Sequence, residues 1–230
     1  MSSTRLPGKV MRDLEGAPMI QRQIERLRRV RGVDRLVVAT SDQADDDVIA
    51  DLATALGLGV HRGSLSDVLA RFVGALGAFG PAAQVVRFTA DCPLIDPAVV
   101  DQAIALHLES GADYTTNAGA GRTDPVGLDC EVVAALALQE AARLAADPYE
   151  REHVTAFLYR RPERYVLQRL GALQDLGHLR WTVDTADDFA FVRAVYDGLY
   201  AAKPAFDAAD VLAFVRGRPE LMRLGGEPRG

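Results

Sequence analysis

The chain has 230 residues, 49% of them hydrophobic and 25% charged, which excludes a disordered or collagen-like chain and fits one compact domain needing no disulfide or metal staple. Lys plus Arg is 26 against 32 Asp plus Glu, a net charge of −6, which argues against a general nucleic-acid binder. The charge is lopsided: residues 1–35 hold nine Arg/Lys against four Asp/Glu, readable as a local anion site or as a solvated basic helix face.

In chain order, Pro18 opens a helix on which Met19, Ile20, Ile24, Leu27 and Val30 recur at helical spacing; the arginines between 22 and 35 are expected on its solvated face. A buried strand over 35–40 precedes a helix over 44–56 closed by Gly57, then a short strand over 59–61. A helix over 67–79 and a strand over 84–89 follow, then a helix over 97–110 ended by Gly111 and a strand over 113–116. This β-α-β-α order predicts a parallel sheet covered by helices, with ligands at the carboxyl ends of its strands. Beyond a loop over 119–127 the pattern adds a small mixed β region: strands over 128–133, 165–169 and 179–183, and helices over 134–146, 149–160, 185–199 and 208–216. Two cysteines, Cys92 and Cys130, without CxxC spacing read as buried fillers in a reduced, cytoplasmic setting. No run of 18 apolar residues predicts a membrane span, and residues 1–9 lack the apolar core of a secretory signal.

Five segments carry candidate chemistry. Ser3-Thr4-Arg5-Leu6-Pro7-Gly8-Lys9 is not a P-loop, yet it puts a hydroxyl, two cations and a Pro-Gly turn within seven positions, a combination able to cradle phosphates. Lys9 is one of only two lysines in this arginine-biased chain, which points to a need for a compact ammonium. In Thr89-Ala90-Asp91-Cys92-Pro93-Leu94-Ile95-Asp96-Pro97, Asp91 lies just past a strand end, a place for a metal-binding carboxylate, whereas Asp96 before Pro97 reads as a helix N-cap. In Arg180-Trp181-Thr182-Val183-Asp184-Thr185-Ala186-Asp187-Asp188, Thr185 and Asp188 have capping-box spacing, leaving Asp184 as a second metal carboxylate or another capping residue. In Gly127-Leu128-Asp129-Cys130-Glu131-Val132, Asp129 and Glu131 share a strand face, fit either to read sugar hydroxyls or to meet solvent. His153, in the charged helix start Asp147-Pro148-Tyr149-Glu150-Arg151-Glu152-His153-Val154, is a general acid, a sugar contact or a surface histidine, and the four histidines show no zinc spacing.

Taken in order, these segments resemble the cytidylyltransferase family, most closely its spore-coat polysaccharide biosynthesis protein F branch. The resemblance also rests on Val37-Val38-Ala39-Thr40, on His61-Arg62-Gly63-Ser64 with Asp67-Val68-Leu69-Ala70-Arg71-Phe72, and on Glu150-Arg151-Glu152-His153-Val154. It implies a three-layer nucleotide-diphospho-sugar transferase fold, Rossmann-like and mainly parallel. The expected layout is one domain over 1–230: a nucleotide-binding half over 1–118, a sugar-binding half over 119–200, and C-terminal helices and tail over 201–230. The implied activity is transfer of CMP from CTP to an acidic or modified sugar for surface polysaccharide, with Mg²⁺ as cofactor, no nucleic acid or membrane as partner, and a possible homodimer. Arg5 and Lys9 would hold the triphosphate, with Ser3, Arg62 and Ser64 near the nucleotide. Asp91 and Asp184 would hold Mg²⁺, and Asp129, Glu131, Arg151 and His153 would line the sugar side. A weakly catalytic nucleotide- or partner-binding protein on the same fold, or a transferase using another nucleotide, is the competing reading.

Two departures stand out. Val126 occupies a position where similar sequences usually have Asp before the Gly. Relatives also open with a β-strand and a Gln-Ala-Arg-Met-Gly-like turn, of which Met1 and Ser2 take the last two positions. The first strand is therefore expected to be missing, with Met1 an internal methionine of a protein longer by roughly a dozen residues.

Overall fold

A computed structural model describes residues 5–225. Strands β1 (Asp13–Leu14) and β2 (Ala17–Pro18) form a hairpin absent from the sequence reading; its turn, Glu15-Gly16, has φ of 55° and 76°, the left-handed pair that a two-residue hairpin favours. The hairpin feeds α1 (Met19–Leu27), which buries Met19, Ile20, Ile24 and Leu27 as expected. It also buries Arg22 and Arg26, which corrects the expectation of a solvated arginine face. Arg22 Nε donates to the Leu14 carbonyl at 2.9 Å, and Arg26 Nε donates to the Ile95 carbonyl at 2.6 Å while its guanidinium lies 4.4 Å from the Phe206 ring centre. Backbone acceptors and aromatic faces make these burials tolerable.

Strand β3 (Val37–Ser41) pairs in parallel with β4 (Gly59–Gly63), with α2 (Asp47–Ala55) connecting them. Helix α3 (Val68–Phe79), capped by Asp67, leads to β5 (Gln84–Arg87). Helix α4 (Pro97–Ser110) starts on Asp96, whose side chain accepts from the Ala98 N–H, and stops at Gly111 with φ 62°, both as read from sequence. Strands β6 (Tyr114–Thr116), β7 (Glu131–Ala134) and β8 (Leu167–Arg169) join β5 in the order β5-β7-β6-β8. Strand β7 runs antiparallel to β5 and β6, and β8 runs parallel to β6, so the mixed pairing expected of the second half also takes in β5 and β6, which were expected in the parallel sheet of the first half. Among the described residues, β3 pairs only with β4 and β5 only with β7.

Helix α5 (Ala135–Leu144) follows β7. The single helix expected over 149–160 is two, α6 (Pro148–Glu152) and α7 (Ala156–Tyr159), broken where buried Val154 takes φ 53°. A β-branched residue in that conformation cannot continue a helix. Helices α8 (Ala186–Leu199), α9 (Ala208–Arg216) and α10 (Pro219–Gly225) close the fold; α10 is additional to the helices expected from sequence, in a stretch left unassigned before the tail from Gly225. A core cluster built on Trp181, Phe191, Tyr196 and Phe206 draws in Leu6 and Met19 from the start of the chain and Leu221 from its end.

The strand expected over 179–183 is extended chain held by a bridge between Val126 and Arg180: the Val126 N–H donates to Leu179 at 2.9 Å and the Trp181 N–H to Val126 at 2.6 Å. Gly127 makes this approach possible. Its φ is 109°, and a Cβ there would sit 2.5 Å from the Thr182 nitrogen and 2.6 Å from the Trp181 carbonyl carbon. Gly127→Ala is expected to cost roughly 2–4 kcal/mol, combining backbone strain with overpacking, and urea denaturation reads this directly.

Candidate active site

Two chain crossings bring distant carboxylates together. Asp91 follows β5, and its carbonyl accepts from the Val183 N–H at 2.8 Å and the Thr182 hydroxyl at 3.1 Å. This stitch sets Asp91 beside Asp184. Into the space between them comes Lys9, carried on a turn whose Gly8 has φ 67°. Its Nζ donates to Asp91 Oδ2 at 3.1 Å, Asp184 Oδ1 at 3.0 Å and the Val183 carbonyl at 2.6 Å. Arg5, two-thirds exposed, reaches the other Asp184 oxygen at 3.2 Å.

Behind Asp184 stands a pair that the sequence reading missed as functional. Arg180 donates to Asp184 Oδ2 at 2.6 Å and to Asp188 Oδ1 at 3.2 Å. Asp188 in turn accepts the N–H groups of Asp184 and Thr185 at 2.9 and 2.8 Å and completes the expected capping box. The signal was present: a basic residue four positions before a strand-end carboxylate, on a run otherwise uncharged. Burial alone would raise the Asp184 carboxyl, but hydrogen bonds from Lys9 and Arg180 outweigh it and hold the group below the usual range. Asp188 follows the same logic: burial opposes, and Arg180 with two backbone N–H groups wins.

Asp129 faces Arg122 through two contacts, at 2.7 and 3.3 Å. Burial pushes the Cys92 thiol well up, and the carboxylates of Asp91 and Asp129 add to the shift. Gln23 on α1 braces the strand end by donating to the Thr89 carbonyl at 2.8 Å.

Other sequence candidates sit apart from this cluster. Ser3 lies outside the described residues. Arg62 spends its guanidinium on the Ser41 and Gln43 carbonyls and on Asp47, and Ser64 caps the Asp67 N–H at 3.0 Å; both stand at the carboxyl end of the β3–β4 pair. Arg151 is tied to Asp67 and to the Ala142 carbonyl. Glu131 does not share an open face with Asp129: it is buried under Arg87 and accepts from the Tyr114 and Thr155 hydroxyls, each at 2.6 Å. His153 is exposed and packs its ring 4.1 Å from that of Tyr149.

The donor set around Asp91 and Asp184 suits a hard divalent cation. Two carboxylates converge on one point, and a cation, the Lys9 ammonium, already occupies it. No cluster of three or more His, Cys, Asp or Glu that could hold a metal exists among the described residues, so such an ion would complete its shell with water and ligand oxygens, the habit of magnesium.

The family model described as Cytidylyltransferase matches residues 1–192. The chain belongs to the cytidylyltransferase family. It is 34% identical to the spore coat polysaccharide biosynthesis protein SpsF of Bacillus subtilis, over 96% of this chain and 92% of that protein. A solved cytidylyltransferase from Leptospira borgpetersenii superposes with a TM-score of 0.91 at 26% identity, covering 100% of this chain and 95% of that one. The 3-deoxy-manno-octulosonate cytidylyltransferase of Geobacter sulfurreducens is 40% identical over 116 residues, 48% of this chain and 43% of that protein. The chain is thus a nucleotidyltransferase with the nucleotide-sugar transferase fold. No helix among the described residues is long and apolar enough to cross a membrane.

Proposed function

We propose that this cytidylyltransferase transfers CMP from CTP to a hydroxyl of an acidic sugar and releases pyrophosphate, supplying an activated sugar for surface polysaccharide. The observation that carries the reading is the convergence of Lys9, Arg5, Asp91 and Asp184 at the carboxyl end of β5. An acidic sugar is supported by the relative named for octulosonate, and a polysaccharide role by the SpsF relative.

Arg5 and Lys9 bind the triphosphate, with Arg62 and Ser64 toward the nucleoside. Asp91 and Asp184 would hold Mg²⁺, which would supply positive charge against the phosphate oxygens. Arg180 and Asp188 fix the Asp184 carboxylate so that it need not reorganise during reaction. The sugar hydroxyl attacks the α-phosphorus in line, and the bond to the bridging oxygen of pyrophosphate breaks. Asp129, oriented by Arg122, orients the sugar, and His153 lies on its outer side. Glu131 and Arg151 serve that side as scaffold, holding β7 to α7 and α6 to α3. Such positioning chemistry requires no covalent nucleophile, and the buried Cys92 and Cys130 thiols remain protonated.

The nucleotide is tested by thermal shift with CTP, UTP, GTP and ATP in the presence of Mg²⁺. At 100 times its Kd, CTP is expected to add about 2.7 kcal/mol, or roughly 5–10 °C in Tm for a chain of this size, with the other three well behind. An equal or larger shift from a purine nucleotide would overturn the assignment.

A further inference from the structure

Lys9 Nζ stands on the spot that a metal shared by Asp91 and Asp184 would need. The two inward oxygens, Asp91 Oδ2 and Asp184 Oδ1, lie 3.1 and 3.0 Å from it. The remaining Asp184 oxygen is already claimed by Arg180 and Arg5, so Oδ1 is the exchangeable one. A divalent ion bonds carboxylate oxygens at about 2.0–2.1 Å. An ion bound to both oxygens would therefore press against the ammonium, cation against cation.

Resting on the reading that these carboxylates hold the metal, we propose that Lys9 is a placeholder cation: it occupies the metal position until a nucleotide triphosphate draws its ammonium away. Metal and nucleotide then enter with positive coupling, and the metal alone binds weakly. The choice of residue fits. The chain has only two lysines among 26 basic residues, and a guanidinium at position 9 would clamp a carboxylate with two parallel bonds. An ammonium on a four-carbon stem holds both carboxylates as a point charge and can leave on a single side-chain swing. Without any cation there, the two carboxylates would repel across the stitch between Asp91 and Val183.

The test uses Mn²⁺ as a paramagnetic probe on the full chain without nucleotide. Lys9→Met is expected to bind Mn²⁺ at least tenfold more tightly than wild type by electron paramagnetic resonance titration; equal affinities would overturn the proposal. Should Lys9→Met fail to fold, the wild-type chain labelled with ¹⁵N-lysine decides. It gives two Nζ signals, from Lys9 and from Lys203, whose pairing with Asp210 at 2.5 Å makes it the internal reference. The Lys9 signal is expected to move when Mg²⁺ and α,β-methylene CTP are added together and to stay with Mg²⁺ alone. An unmoved Lys9 signal with the analogue and Mg²⁺ bound would overturn the proposal. The underlying metal reading fails separately: adding Asp91→Asn to Lys9→Met must weaken Mn²⁺ binding, and an unchanged affinity would show that the ion sits elsewhere.

Discussion

Asp91→Asn is expected to lower magnesium-dependent pyrophosphate release about a thousandfold, near 4 kcal/mol at the barrier, while circular dichroism and Tm stay close to wild type. The fold survives because the Asp91 backbone, not its carboxylate, makes the stitch to Thr182 and Val183. Lys9 also keeps two acceptors, the Val183 carbonyl and Asp184. What is lost is one of the two negative oxygens that converge on the Lys9 ammonium, the point proposed for the metal. Steady-state kinetics over a range of Mg²⁺ concentrations reads the effect, and wild-type turnover in this variant would remove Asp91 from the metal site.

Asp188→Ala is expected to act on stability instead, costing about 3–5 kcal/mol and lowering Tm by roughly 10 °C. The Asp188 side chain is fully buried and accepts from three donor groups: the Arg180 guanidinium and the N–H groups of Asp184 and Thr185. Its removal strips the largely buried Arg180 guanidinium of one partner and leaves the Asp184 and Thr185 N–H groups without their acceptor, so half of the capping box of α8 is lost in a single change. The acid sensitivity has the same source. The Asp188 carboxyl is held below its ordinary value in the folded chain. Its stabilisation is therefore complete above the unfolded carboxylate pKa and is lost as pH falls through the lowered folded value. Urea midpoints from pH 7 down to pH 3 should fall less steeply in Asp188→Asn than in wild type. A loss under 1 kcal/mol in Asp188→Ala at neutral pH would contradict this account of the α8 start.

Much of this arrangement was legible in local sequence because its causes are local. Asp96 before Pro97, Gly111 after α4 and the Thr185–Asp188 spacing each act within one turn, and each does in the structure what its residue type dictates. Asp91 and Asp184 were marked by position alone, as carboxylates at strand ends, and the structure brings them within reach of one ammonium. What escaped depends on distant partners. Arg22 and Arg26 read as solvated because the groups that make their burial tolerable, Tyr200, Phe206 and the Ile95 carbonyl, lie far along the chain. Glu131 shares an alternation with Asp129, but Tyr114, Thr155 and Arg87 close over it. The break at Val154 was hidden because nothing in the residue type announces a positive φ. The hairpin before α1 has strands of only two residues, too short for alternation to show.

The role proposed for the Lys9–Asp91–Asp184 cluster is cytidylyl transfer to an acidic sugar. The most direct measurement is pyrophosphate release from CTP and Mg²⁺ across a panel of sugars with and without a carboxylate, with the CMP-sugar confirmed by mass spectrometry. Release is expected to require Mg²⁺ and an acidic sugar together and to disappear in Asp91→Asn. Release that proceeds equally with neutral sugars, or that persists in Asp91→Asn, would contradict it.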